Sequence, residues 1–184
     1  MKKLLVTLSI FLALVQISID STAQIERKPF TLNDVLTNRV FAASSVDGLK
    51  SMNDGAHYTT LSDDYRKIEK FSYKTGESVV HILNLDDFPE SKVKMIVDYE
   101  FSADENSILI QSNYKPLYRR SFTADYYIYS IPARTFVPLS VNGMQQLATF
   151  SPDGKLVAFV RENNIFIADP AKGTEIQITS DGKF

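Results

Sequence analysis

Polar and apolar residues alternate in short runs along most of the chain, and clusters of turn-forming residues separate the runs at near-regular intervals. A period of two puts successive side chains on opposite faces of a pleated sheet, so such runs predict strands. Three segments line up with one another: "SMNDGAHYTTLSDD" from Ser51, "FSADENSILIQSNY" from Phe101 and "FSPDGKLVAFVREN" from Phe150. Their turn aspartates, Asp54, Asp104 and Asp153, recur at intervals of about 50 residues. Each turn leads into a strand-like run, at residues 58–61, 108–111 and 156–160. A second run follows in each copy, "KIEKFSY" at Lys67, "DYYIYS" at Asp125 and "NIFIAD" at Asn164. Turn residues and a third run close each unit, in "KTGESVVHIL", "PARTFVPLS" and "AKGTEIQIT". Residues 95–97 supply a candidate fourth strand for the first unit.

Four antiparallel strands in roughly 40 to 50 residues are the mark of a propeller blade. The pattern predicts an all-β chain, an incomplete β-propeller of about three four-stranded antiparallel blades. A β-sandwich of similar strands is the alternative, and the even spacing of the turns favours blades. Helix is confined to "TLNDVLTN", where Thr31 is available to cap a turn over residues 32–36. Closed propellers use four to eight blades. The expectation is therefore a piece of something longer, because three blades leave sheet edges and an inner surface open.

The N-terminus breaks the alternation. Lys2 and Lys3 precede an apolar run from Leu4 to about Ile17, and Ser21 and Ala23 place small residues before Gln24. This is the layout of a secretory signal peptide over residues 1–23, leaving 24–184 as the propeller portion. An uncleaved membrane anchor is the alternative. There is no cysteine, which excludes disulfides, thiolate catalysis, Cys-based zinc sites and a bacterial lipid anchor. An exported chain without cysteines fits the periplasm or cell envelope of a Gram-negative bacterium better than a disulfide scaffold. The formal net charge of −2 gives no electrostatic case for nucleic acid.

Candidate chemistry gathers in the second repeat. Its two strand runs lie further apart than those of the third repeat, and the excess is "SNYKPLYRRSFTA". Extra length in one repeat falls on one face, often the binding face. Arg119 and Arg120 sit there beside Tyr114, Tyr118 and Phe122. In a strand these neighbours would point to opposite faces, and one would turn inward. A guanidinium grasps a carbonyl or carboxylate through parallel hydrogen bonds. The plain alternative is a surface pairing with Asp125, Glu100 or Glu105.

The run "YRRSFTADYYIYS", the later "FSPDGKLVAFVRENNIFI" and the closing "QITSDGKF" resemble the N-terminal propeller of dipeptidyl peptidase IV, in the prolyl oligopeptidase family of serine peptidases. The resemblance extends from "FTLNDVL" to Phe184. It implies an exported enzyme that removes dipeptides from peptide N-termini, with Pro or Ala second. It also implies an eight-bladed propeller on an α/β-hydrolase domain, with a homodimer possible in the complete form. By that resemblance Arg119 hydrogen-bonds the carbonyl oxygen of the substrate's second residue. Arg120 stands where relatives often have His, and Tyr118 where they often have Trp.

Catalytic machinery is not expected within these residues. The paired glutamates that bind the substrate amine in the family lie beyond Phe184 by the resemblance. No Gly-x-Ser-x-Gly elbow occurs. His57 and His81 are expected to be structural or exposed, without carboxylates at ligand spacing, so neither a metal nor another cofactor is expected. The acidic pairs Asp63-Asp64 and Asp86-Asp87 are expected to be solvated. Two function classes remain: the propeller start of a peptidase with no activity of its own, or a periplasmic propeller-type binding or scaffold module.

Overall fold

A computed structural model describes residues 29–38, 40–43 and 45–183. The expected signal peptide lies outside the described residues. The chain divides into two compact units, Met1–Ser44 and Ser45–Phe184. In the first, helix α1 (Leu32–Leu36) is a single turn held by a capping box: Asp34 N–H donates to Thr31 Oγ1 at 3.2 Å, and Thr31 N–H donates to Asp34 Oδ2 at 2.8 Å. Phe30 and Phe41 meet edge to face at 5.4 Å.

The second unit holds three separate four-stranded sheets, each paired in chain order. Blade 1 contains β1 (Lys50–Ser51), β2 (His57–Leu61), β3 (Lys67–Ser72) and β4 (Ser78–Asn84). Blade 2 contains β5 (Asp98–Phe101), β6 (Ser107–Pro116), β7 (Phe122–Ser130) and β8 (Thr135–Pro138). Blade 3 contains β9 (Gln146–Phe150), β10 (Val157–Arg161), β11 (Asn164–Asp169) and β12 (Thr174–Gln177). Three antiparallel meanders, and not two facing sheets, set aside the sandwich. One expectation needs correcting: the fourth strand of each blade precedes the Asp turn, as β1, β5 and β9. Residues 95–97 are not a strand; Ile96 N–H donates to the Tyr65 carbonyl and Val97 N–H to the Gln111 carbonyl, as a linker threaded between blades.

The three aligned turns share one geometry, which explains their recurrence in the sequence. The first residue's N–H returns to a carbonyl five residues on: Met52 to His57, Ser102 to Ser107 and Ser151 to Leu156, at 3.0, 2.8 and 2.8 Å. The aspartate then accepts a backbone N–H two residues ahead, from Ala56, Asn106 and Lys155 respectively. The residue after each aspartate takes a positive φ, Gly55 at 65°, Glu105 at 55° and Gly154 at 71°. A fourth copy joins β2 to β3, where Asp64 accepts from Arg66 N–H at 3.1 Å and Tyr65 has φ 57°. Of these, only the three that join the first strand of a blade to its second are legible from the alignment of the repeats.

Blade 2 is buried on both faces, and the alternation of its central strands divides them. Ile108 and Ile110 of β6, with Tyr127 and Tyr129 of β7, pack with Leu61, Ile68 and Leu83 of blade 1. Leu109, Tyr126 and Ile128 pack on the other side with Val157, Phe159 and Phe166 of blade 3. Each fully buried side chain of this kind contributes about 1.5–3 kcal/mol. Blade 2 thus packs against a neighbour on each face, and the candidate arginines are attached to it.

Candidate functional site

β6 and β7 outlast their neighbours. β5 pairs with β6 only as far as Gln111, and β8 pairs with β7 only back to Tyr127. Beyond those points β6 and β7 continue together, through Ser112 opposite Asp125, Lys115 opposite Thr123 and Pro116 opposite Phe122. The segment expected as a loop is therefore largely a two-stranded arm. Only residues 117–121 form its tip, where Leu117 and Tyr118 N–H both donate to the Ser121 carbonyl at 2.8 and 3.2 Å.

Arg119 and Arg120 lie at this tip and not in a strand, so the expected divergence across a pleat does not arise. Both are exposed, and neither turns inward. The three acids considered as partners are engaged elsewhere. Asp125 Oδ2 accepts from Asn113 Nδ2 at 2.7 Å, Glu105 Oε1 from Asn53 N–H at 2.6 Å, and Glu100 Oε1 from Thr149 Oγ1 at 3.4 Å. Among the described residues, neither arginine forms an ion pair. The tip is flanked by apolar surface: Tyr118 is 78% exposed, and Tyr114 stacks at a tilt on Phe122 at 4.8 Å. A free guanidinium beside aromatic faces can receive a carbonyl or carboxylate without first breaking a bond.

The arm's course is set at its base. Asn113 takes φ 50° within a bulge between Ser112 and Lys115, a device that bends a strand and re-aims its outer half. Ser112 is fully buried, and its hydroxyl donates to the Met95 carbonyl at 2.9 Å. On the other edge Gln145 forms an isolated bridge with Ala124. The sequence offers no means of singling out these three residues: serine, asparagine and glutamine in a turn-rich region carry no chemical signature of their own.

The other candidates behave as structure. His57 Nδ1 lies 2.6 Å from Asp54 Oδ2, with Lys70 Nζ on the same oxygen at 3.3 Å, and His81 Nδ1 lies 3.0 Å from Glu69 Oε1. Both histidines therefore do have carboxylate neighbours, contrary to expectation. The hydrogen bond from Ala56 N–H, followed by that from His57, holds the Asp54 carboxyl far below the usual range. The acidic pairs are exposed, as expected, and three of the four aspartates also have partners. Asp86 pairs with Arg66 at 2.5 Å, Asp87 with Arg134 at 3.2 Å, and Asp64 Oδ1 accepts from the Ser62 hydroxyl at 2.6 Å.

Residues 102–184 match the model of the dipeptidyl peptidase IV N-terminal region, a span that includes the whole arm and blade 3. Residues 102–184 thus carry the dipeptidyl peptidase IV N-terminal region. It is 31% identical over 185 residues to "Probable dipeptidyl peptidase 4" of Aspergillus flavus, covering 93% of this chain and 23% of that protein. It is 38% identical over 84 residues to "Probable dipeptidyl-aminopeptidase B" of Emericella nidulans, covering 44% of this chain and 9% of that protein. The crystal structure of Porphyromonas gingivalis dipeptidyl peptidase 4 superposes with a TM-score of 0.77 at 36% identity, over 85% of this chain and 22% of that one. The chain thus spans less than a quarter of the length of each of these three proteins. Within that family frame, the three meanders are propeller blades and the arm is an elaboration of the second.

Proposed function

We propose that this chain supplies the first blades of an exported serine-type dipeptidyl peptidase, and that the arm of blade 2 presents Arg119 to the substrate peptide. The observation that carries the reading is the family match over residues 102–184, which contains the arm with its exposed arginine. The chemistry is hydrogen bonding by a guanidinium. Arg119 donates to the carbonyl oxygen of the substrate's second residue and fixes the peptide's N-terminal end against the propeller. Two parallel donors orient a carbonyl better than a single ammonium does. Orientation of this kind lowers the barrier by restricting the bound peptide before reaction.

The bond-breaking groups belong to the α/β-hydrolase domain of the complete enzyme, and the substrate is a peptide with a free N-terminus and Pro or Ala second. Export to the periplasm or cell envelope accords with the basic and apolar start of the sequence. A homodimer of the complete enzyme is part of the same reading.

The test is turnover of a Gly-Pro or Ala-Pro chromogenic substrate by the full-length protein that carries this region, set beside the chain of 184 residues alone. Turnover by the former, blocked by a serine-directed inhibitor, and none by the latter is expected. A full-length protein that folds but releases no dipeptide would overturn the reading.

A further inference from the structure

Where β8 ends, β7 continues with an open edge. Leu139 N–H donates to the Tyr126 carbonyl at 2.8 Å, and among the described residues no strand extends β8 along that side. The next backbone groups of β7 facing that edge belong to Ala124 and to the N–H of Tyr126. Both residues are buried, Ala124 completely, so water is a poor substitute partner. One residue meets all of these groups. Gln145 N–H donates to the Ala124 carbonyl at 2.8 Å, and Ala124 N–H donates to the Gln145 carbonyl at 2.9 Å. The Gln145 side chain then turns along the strand, where Oε1 accepts from Tyr126 N–H at 3.1 Å and Nε2 donates to the Gly143 carbonyl.

Any residue could form the backbone bridge. Only a side-chain amide of this length supplies the acceptor for Tyr126 and the donor for Gly143 together. Gln145 is 1% exposed and Tyr126 is buried, so a side chain lacking the acceptor would leave the buried Tyr126 N–H unpaired. The far side of the arm is fixed at the same level by the Ser112 hydroxyl on the Met95 carbonyl. Beyond this level β6 and β7 pair only with each other, at Lys115–Thr123 and Pro116–Phe122. The direction in which the tip points is therefore decided at the base.

We propose that Gln145 is a positioning residue: it stands in for a missing strand at the edge of β7 and so fixes the direction of the arm that presents Arg119. The proposal rests on the reading of Arg119 as a substrate contact. Gln145 touches no substrate; it acts through the arm.

The experiment is a double-mutant cycle in the full-length enzyme, with Gln145→Met and Arg119→Ala made singly and together. Gln145→Met keeps volume and removes both hydrogen-bonding functions. It is expected to lower kcat/KM about fivefold, mainly through KM, in the presence of Arg119, and by less than about twofold in its absence. Amide exchange at Tyr126 and across residues 117–121 is expected to accelerate in the same variant. Leu83→Ala, in the core of blade 1, is the control for simple loss of stability: it should lower Tm and leave KM alone. If Gln145→Met does not fold, Gln145→Asn, which keeps the amide but shortens its reach, is read in the same cycle. An equal loss with and without Arg119, or no loss at all while Arg119→Ala is impaired, would overturn the positioning role. If Arg119→Ala itself leaves kcat/KM unchanged, the substrate reading fails first and this proposal falls with it.

Discussion

Asn53, in the turn between β1 and β2 of blade 1, clasps the equivalent turn of blade 2. Its backbone N–H donates to Glu105 Oε1 at 2.6 Å, and its side-chain amide donates to the Ala103 carbonyl at 2.9 Å. The repeat visible in the sequence thus doubles as an interblade contact, because turns of equal length reach the same level on adjacent blades.

Glu105 also holds a positive φ of 55°, which costs a residue with a Cβ about 1 kcal/mol or more. Glu105→Ala should lose the clasp and keep that cost, a net destabilisation of about 0.5–1.5 kcal/mol. Glu105→Gly should lose the clasp but relieve the backbone, and so unfold at a higher urea concentration than Glu105→Ala. Chemical denaturation of the two variants with the parent checks the order.

Two glycines with nearly the same backbone conformation separate strain from packing. Gly48 and Gly55 have φ of 64° and 65°, yet a Cβ at Gly48 would lie 2.8 Å from Leu61 Cγ and 3.0 Å from Tyr99 Cε1, while one at Gly55 meets nothing within 4 Å. Both alanine variants carry the left-handed penalty. Gly48→Ala should cost about 1–3 kcal/mol more, the typical cost of overfilling a packed core. Thermal unfolding of the pair measures the difference directly.

The Arg161–Glu175 pair predicts acid sensitivity in blade 3. Arg161 Nη2 lies 2.7 Å from Glu175 Oε1, its guanidinium covers the Phe166 ring at 4.0 Å, and Asn142 Nδ2 adds a bond to the same oxygen at 2.8 Å. Chiefly through the Arg161 hydrogen bond, the Glu175 carboxyl is brought down to about 2 from its ordinary 4.5. Because the folded value is the lower one, the stabilisation is fully present above the ordinary carboxyl range and is lost as pH falls towards about 2. Urea midpoints between neutral pH and pH of about 3 should therefore fall more steeply for the parent than for Glu175→Gln. Parallel curves would contradict the assignment.

The blades are legible in the sequence because the three Asp turns are chemically constrained: an acceptor two residues before a backbone N–H and a residue tolerant of positive φ leave few alternatives. The first strand of each blade is harder to read. β1 has two residues, too few to show a period, and the apolar run at 95–97 owes its character to Ile96, buried as linker and not as strand. The arm reads as a loop because Asn113 and Pro116 look like turn residues, whereas one sits in a bulge and the other ends β6. Gln145 is invisible for a different reason. It precedes another glutamine, and Leu147 interrupts the alternation with φ 52°, so periodicity does not say which glutamine turns inward.

Residue type and resemblance single out Arg119, and its place at the tip of a two-stranded arm supplies what the sequence lacks, a means of presentation. This guanidinium is proposed to contact the substrate. Steady-state kinetics of Arg119→Ala in the full-length enzyme, on a Gly-Pro or Ala-Pro chromogenic substrate, tests it most directly. The expected result is a fall in kcat/KM equivalent to about 1.5–3 kcal/mol, the value of one charged hydrogen bond, with Tm nearly unchanged because the side chain is exposed. Unchanged kcat/KM in a folded variant would contradict it and return Arg119 to the ordinary surface.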